Sequence, residues 1–236
     1  MTGVRRSLVA VTAVTVLAMF TATGAEAQGA PGAKPAPKTK RAKEFLIGGI
    51  VTGPTPVGSA DAELLNGAGD ASVTLFKTTS KIAPGFGLES NIGLQIGKAL
   101  WVEVSGSFTR ASINTDIRSD FENAFDETIS SSMSRFTVEG GIVKYFHEKG
   151  SRAWFVRGTG GWMRETAGGN TLTGDGVIAG GGLGFRQWWR TNGKGSVKRV
   201  GLRVEGRAVV RTGGISLGEK GVRFGPAGAV HLVFGF

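Results

Sequence analysis

The residues able to do chemistry in this chain are mostly carboxylates and guanidiniums set two apart. Arg203, Glu205 and Arg207 alternate along one segment, Glu89, Asn91 and Gln95 share a parity on another, and Glu103, Glu139, Arg157 and Arg186 sit in further segments of the same kind. A spacing of two puts side chains on one face of a strand. Acids and arginines sharing a face suit ion pairing, because the guanidinium fork matches a carboxylate.

Catalysis would need more. Acyl-ester hydrolysis requires a Ser nucleophile, a His base within reach and an acid to orient it. The two histidines are His147, in a turn segment, and His231, which has no Ser two positions away on its strand. No triad is therefore expected, and the chain is read as a non-enzyme.

Metal and phosphate chemistry have no better basis. The absence of Cys excludes thiolate sites and a disulfide scaffold. The acidic run Asp116, Arg118, Asp120, Glu122, Asp126 and Glu127 lacks the Gly and the spacing of a calcium loop. Within it, Ile117, Phe121, Ala124, Phe125 and Ile129 recur at helical spacing and predict a short amphipathic turn on the rim. Gly180-Gly181-Gly182 and Gly158 to Gly161 open no helix, so they are not phosphate loops. No cofactor is expected. The net charge of +10 does not indicate nucleic acid either, since the cations gather at turns and a linker rather than along a groove.

The elements that must position these residues are strands. The 236 residues suit one domain, and 40 glycines without a three-residue period allow close backbone approach and bending. Residues 1–27 read as a signal peptide, with Arg5 and Arg6, an apolar run from Leu8 to Phe20, and Ala25-Glu26-Ala27 as cleavage site. Residues 28–43 form a basic Pro/Ala-rich linker unable to bury a core. From 44 to 236 eight strands are expected, near 44–53, 81–96, 99–114, 133–146, 153–165, 176–190, 198–212 and 221–236. Long connections at 54–80, 115–132, 166–175 and 213–220 alternate with short ones at 97–98, 147–152 and 191–197. This is the meander of an all-β, antiparallel up-and-down barrel.

Parity sorts the faces. In the third strand Leu100, Val102, Val104 and Phe108 oppose Trp101, Glu103, Ser105 and Ser107. The same rule sends Glu89, Glu103, Glu139, Arg157, Arg186, Arg203, Glu205 and Arg207 inward as a charge network filling a narrow lumen. It sends Leu46 and Ile50 inward too, and Lys144 outward, where it can snorkel. Inward glycines such as Gly93, Gly182 and Gly184 suggest a water-filled gap. Aromatic residues near the short turns, Trp101, Tyr145, Phe146, Trp154, Phe155, Trp188, Trp189, Phe234 and Phe236, are expected to form an interfacial girdle.

The last strand carries an apolar stripe at every second position from Val222 through Phe224, Val230, Leu232 and Phe234 to a terminal Phe236. This ending resembles that of bacterial outer-membrane β-barrel proteins, in particular the small eight-stranded, OmpA- and OmpX-like barrels. The resemblance implies that Val230, Leu232, Phe234 and Phe236 are the signal read by the barrel assembly machinery. It implies a location integral to the outer membrane, with both termini periplasmic, and contact with outer-membrane lipids and lipopolysaccharide. It also implies a monomer with a structural or surface-interaction role. The alternatives are a narrow porin-like channel and, further off, a lipid-modifying enzyme. A soluble lipocalin-like barrel would need apolar residues inside and polar ones outside, the reverse of the parity found here.

Overall fold

The computed structural model describes residues 41–65, 72–118, 126–169, 171–190, 196–215 and 221–236. The signal segment, the linker up to Lys40, and Asp70, Phe121, Ala124 and Phe125 lie outside them. Ten strands follow in chain order: β1 (Lys43–Thr52), β2 (Thr55–Leu65), β3 (Ser72–Ile82), β4 (Gly85–Gln95), β5 (Leu100–Arg118), β6 (Glu127–Lys149), β7 (Arg152–Ala167), β8 (Leu172–Arg190), β9 (Arg199–Gly213) and β10 (Arg223–Gly235). Every pairing is antiparallel, and β1, β4, β5, β6, β7, β8, β9 and β10 form a closed ring, since β1 pairs with both β4 and β10. The eight-stranded barrel expected from the sequence is therefore present.

The described residues of the segment expected as a long connection, 54–80, are instead mostly strand, in β2 and β3. β2 prolongs β1 and β3 leads into β4, and the two prolongations pair with each other, with Thr55 opposite Ile82 just above Thr52 opposite Gly85. The breaks fall at Gly53-Pro54 and Ala83-Pro84, directly across from one another. Proline has no N–H for a ladder, so each pair of segments is one long strand interrupted at a proline. The alternation in this stretch is interleaved with Gly, Pro and Ser, which is why it reads as a loop.

The expected connection at 115–132 also differs. β5 runs to Arg118 and β6 begins at Glu127, with Asp116 opposite Thr128 and Ile117 opposite Glu127. Ile117 and Ile129 thus lie in a hairpin ladder and not on a helical turn. The helical spacing was met by chance in an apolar-polar strand sequence, and cross-strand bonds from Thr128 to Asp116 (2.8 Å) and from Ser130 to Asn114 (3.0 Å) hold the hairpin instead.

The exterior is apolar around the whole ring. Ile47, Phe86, Leu88, Val102, Phe108, Ile142, Trp154, Val156, Leu183, Val204, Phe224, Val230 and Leu232 are all exposed, Phe86 by 73%. Every strand of the ring contributes at least one. An apolar surface this continuous exceeds what a monomeric soluble protein exposes.

Candidate functional site: the lumen

Successive strand residues point to opposite faces, so the alternation that exposes Val204 buries Arg203 and Glu205. Seven arginines and six glutamates are buried among the described residues. They fall into levels along the barrel axis.

Toward the end that carries the termini, Arg186 donates from Nη1 to Glu44 (2.6 Å) and from Nη2 to Glu148 (3.3 Å). Its guanidinium lies 3.7 Å from the Tyr145 ring centroid and 4.9 Å from that of Trp188. Next comes a lattice of three arginines and three glutamates. Arg203, wholly buried, donates to Glu103 (2.5 Å) and Glu205 (3.0 Å) and stacks 4.1 Å from the centre of Phe155. Arg207 donates to both oxygens of Glu89 (2.7 and 2.8 Å), and its Nε lies 2.6 Å from Glu205. Arg157 sits among them, within 3.3 Å of Glu89, 3.4 Å of Glu205 and 3.6 Å of Glu103, and it also donates to Asn91 (3.1 Å) and Ser105 (3.0 Å). Each carboxylate in the lattice meets at least two guanidiniums.

The sequence-predicted residues Glu89, Glu103, Arg157, Arg203, Glu205 and Arg207 are thus brought together in one connected set, whereas Arg186 pairs separately with Glu44 and Glu148. Glu139 is buried but stands apart. Its closest bond is a hydroxyl from Thr137 at 3.4 Å, and no ion pair reaches it among the described residues. The glycines on this face do not leave a gap in the lattice. A Cβ at Gly182 would stand 3.1 Å from both the Arg207 side chain and a Glu205 oxygen, so the long charged side chains use the room that glycine leaves.

Sequence reasoning missed a second cluster nearer the hairpin end. Glu165 accepts two contacts from Arg135 (2.8 Å each), one from Arg211 (2.9 Å) and the backbone N–H of Ile215 (3.0 Å), while Arg223 donates to the Ile215 carbonyl (2.8 Å). The signal was available, since Arg211 continues the parity of Arg203 and Arg207, and Arg135 that of Glu139. Between this cluster and Glu139 lies a cavity of about 40 Å³, bordered by Arg135, Arg207, Arg211 and several Thr and Ser hydroxyls.

Apolar clusters lie toward both ends. Trp101, Val143, Tyr145, Ala153 and Phe155 pack together toward the termini, with Leu46, Trp188 and Val233 as a neighbouring cluster. Val57, Ile82, Ile113, Met133, Ala167 and Ile215 form the layer beyond Glu165. The girdle reading needs correction accordingly. Phe146, Trp154, Trp189 and Phe236 are exposed on the exterior and Phe234 is half-buried against Phe45, but Trp101, Tyr145, Phe155 and Trp188 point into the lumen. They share the parity of Glu103, Glu139, Arg157 and Arg186, and the cationic faces of Arg186 and Arg203 hold three of these rings there. Leu46 and Ile50 are buried as parity requires, Leu46 against Trp188 and Val233.

His231 faces the lattice, its Nε2 3.4 Å from Asn91 Nδ2 and 3.6 Å from a Glu89 oxygen. No hydroxyl nucleophile is bonded to it among the described residues, and no cluster of His, Asp and Glu there has the makings of a metal site.

A closed antiparallel ring of eight strands, apolar outside and ionic within, defines a transmembrane β-barrel of the small outer-membrane type. No family model matches the chain, and no curated protein does. Among solved structures it is similar to Neisserial surface protein A (13% identity, covering 80% of this chain and 96% of that one, TM-score 0.45). It is also similar to the outer membrane protein OprG from Pseudomonas aeruginosa (14% identity, 82% and 95%, TM-score 0.43). The outer membrane protease OmpT from Escherichia coli follows at 5% identity, 83% and 95%, with a TM-score of 0.31. At these scores the likeness carries no argument, and the fold is read from the hydrogen-bonded ring itself.

Proposed function

We propose that this chain is an integral protein of the bacterial outer membrane with a structural or surface-interaction role, its lumen plugged and not a solute path. The observation that carries this reading is the stacking of the bore: an aromatic layer, a lattice of three arginines and three glutamates, and an apolar layer beyond Glu165. Moving a solute past the lattice would separate buried charges, which is costly once partners are lost.

Both termini belong on the periplasmic side. The short turns lie at the termini's end, where Lys98, Lys149, Arg152, Lys198 and Arg199 are exposed and suited to phospholipid headgroups. The paired strands that reach beyond the barrel would then face outward, available to lipopolysaccharide or a surface partner. Val230, Leu232, Phe234 and Phe236 would serve as the recognition strand for the assembly machinery, and the barrel would work as a monomer. Conductance of the refolded protein in a planar bilayer tests the plugged reading. A silent bilayer supports it, and discrete openings would establish the narrow channel instead.

A further inference from the structure

The barrel wall is not equally sealed all round. The ladder between β1 and β10 ends at Thr52 opposite Ala227, with one more bond from Gly53 N–H to the Pro226 carbonyl (2.7 Å). Beyond that point β2 pairs with β3, β10 pairs with β9 up to Arg223, and no ladder joins β2 to β10 among the described residues. Proline explains where the seam starts. An antiparallel hydrogen-bonded pair exchanges two bonds, and Pro226 can accept from Gly53 but has no N–H to return.

The cavity lies directly behind this seam. Thr52, Gly53 and Thr55 border it from one lip, and Gly225, Pro226 and Ala227 from the other. The outer faces of both lips are apolar, with Val51 and Phe224 exposed. Above the cavity the charge is unbalanced: Arg135 and Arg211 share the single carboxylate of Glu165, and Arg223 beside them is bonded to the Ile215 carbonyl. Arg211 is 3% exposed and borders the cavity, yet its Nε and Nη2 have no hydrogen-bond partner. Buried guanidinium donors without acceptors are costly, and the surplus is cationic. Glu139 borders the cavity from its lower side, four strand residues or about 13 Å along the wall from Arg135, and no ion pair joins it to Arg135 or Arg211 among the described residues. The cavity has room for a few waters or one small oxyanion.

From this arrangement we infer that the cavity is a binding site for a single oxyanion, a carboxylate or phosphate group, held by Arg211 and Arg135 with Thr55 and Thr109 as hydroxyl donors. This goes beyond the structural role proposed above. The group can come free from water or as the head of an amphiphile whose chain lies in the bilayer and passes between the apolar lips of the seam.

The full chain, refolded in a maltoside micelle, is titrated with inorganic phosphate and separately with decanoate while its NMR resonances are followed. The site predicts saturable shifts at Thr55, Thr109 and Arg211, with Glu103 and Ser105 in the lattice unmoved. Saturation by decanoate alone identifies a membrane amphiphile as the source. Saturation by phosphate alone, or by both, identifies the head group itself as sufficient. Arg211→Gln should weaken binding by about tenfold or more. Arg164→Gln, which breaks an exposed pair with Asp175 on the exterior, should leave it unchanged. Absence of saturation by either probe, or shifts confined to the barrel exterior, would overturn the inference. The shift map of the unaltered protein decides this even if the Arg211 variant does not fold.

Discussion

The lower and upper halves of the lumen use the same two residue types at the same strand parity, yet they are solved differently. In the lower lattice three arginines face three glutamates, and Glu205 alone contacts Arg157, Arg203 and Arg207. In the upper half Arg135 and Arg211 share Glu165, Arg223 is bonded to the Ile215 carbonyl, and Glu139 has no ion pair among the described residues. The wall differs in step. All eight seams around the lower lattice are hydrogen-bonded, whereas the upper half lies beside the place where β2 and β10 part. Composition therefore does not decide whether an ionic lumen is rigid. What decides is whether each charge meets its partners at its own level, and whether the surrounding ladder closes.

The sharpest way to break this contrast is to remove one carboxylate from each half. Glu205→Ala removes the carboxylate shared by three buried arginines, leaving three guanidiniums on two glutamates, and should lower the unfolding free energy of the refolded barrel by about 3 kcal/mol. Glu139→Ala removes one weak hydroxyl bond and should cost about 1 kcal/mol or less. Urea unfolding in lipid vesicles, followed by tryptophan fluorescence, measures both, and equal losses would erase the distinction.

A double-mutant cycle on Glu103 and Arg203 sharpens it further. Each Leu substitution alone leaves a buried charge, but the double variant Glu103→Leu with Arg203→Leu leaves neither, so the pair should show a coupling of about 2 kcal/mol in the same assay. Additive losses would mean that the remaining lattice compensates freely.

At the seam the expected effect is smaller. Pro226→Ala supplies the missing donor opposite Gly53, and the new amide at position 226 should gain hydrogen-exchange protection corresponding to about 0.5–1 kcal/mol. Exchange at the rate of an open loop would place the lips further apart than a single missing bond explains.

Smallest of all is a change on the hairpin above the barrel. The Thr128 hydroxyl bonded to Asp116, helped by Lys81 and Arg118, holds that carboxyl below the ordinary aspartate range. Because its folded value is depressed, the stabilisation is present above the unfolded value and is lost as pH falls through the folded one. The group is exposed, so the readout is an NMR titration: Thr128→Val should raise the Asp116 midpoint, and an unmoved midpoint would remove the hydroxyl as its cause.

Much of this was legible in the sequence because a barrel strand repeats one rule. Parity alone sends Arg203, Glu205 and Arg207 inside and Val204, Phe224 and Leu232 outside. Parity also assigns Trp101, Tyr145 and Trp188 to the interior, and the girdle expectation failed where it overrode parity with proximity to a turn. Arg135, Glu165, Arg211 and Arg223 lie inside the expected strands at inward parity, so the rule that finds the lattice reaches them as well; what parity does not show is that they gather around one carboxylate. β2 and β3 were hidden by prolines that interrupt a ladder without ending a strand. Which carboxylate meets which guanidinium depends on register across strands far apart in sequence, such as Glu89 and Arg207, and no local pattern encodes that.

The most direct test of the whole account uses the absence of cysteine in the chain. Single Cys substitutions at Val204, Phe224 and Leu232 are spin-labelled in the refolded barrel in vesicles, and their collision rates with lipid-soluble oxygen and a water-soluble nickel chelate are compared. The account predicts oxygen-accessible, chelate-protected labels at all three positions. Labels freely reached by the chelate would contradict a lipid-facing exterior, and with it the reading of the enclosed ionic lumen.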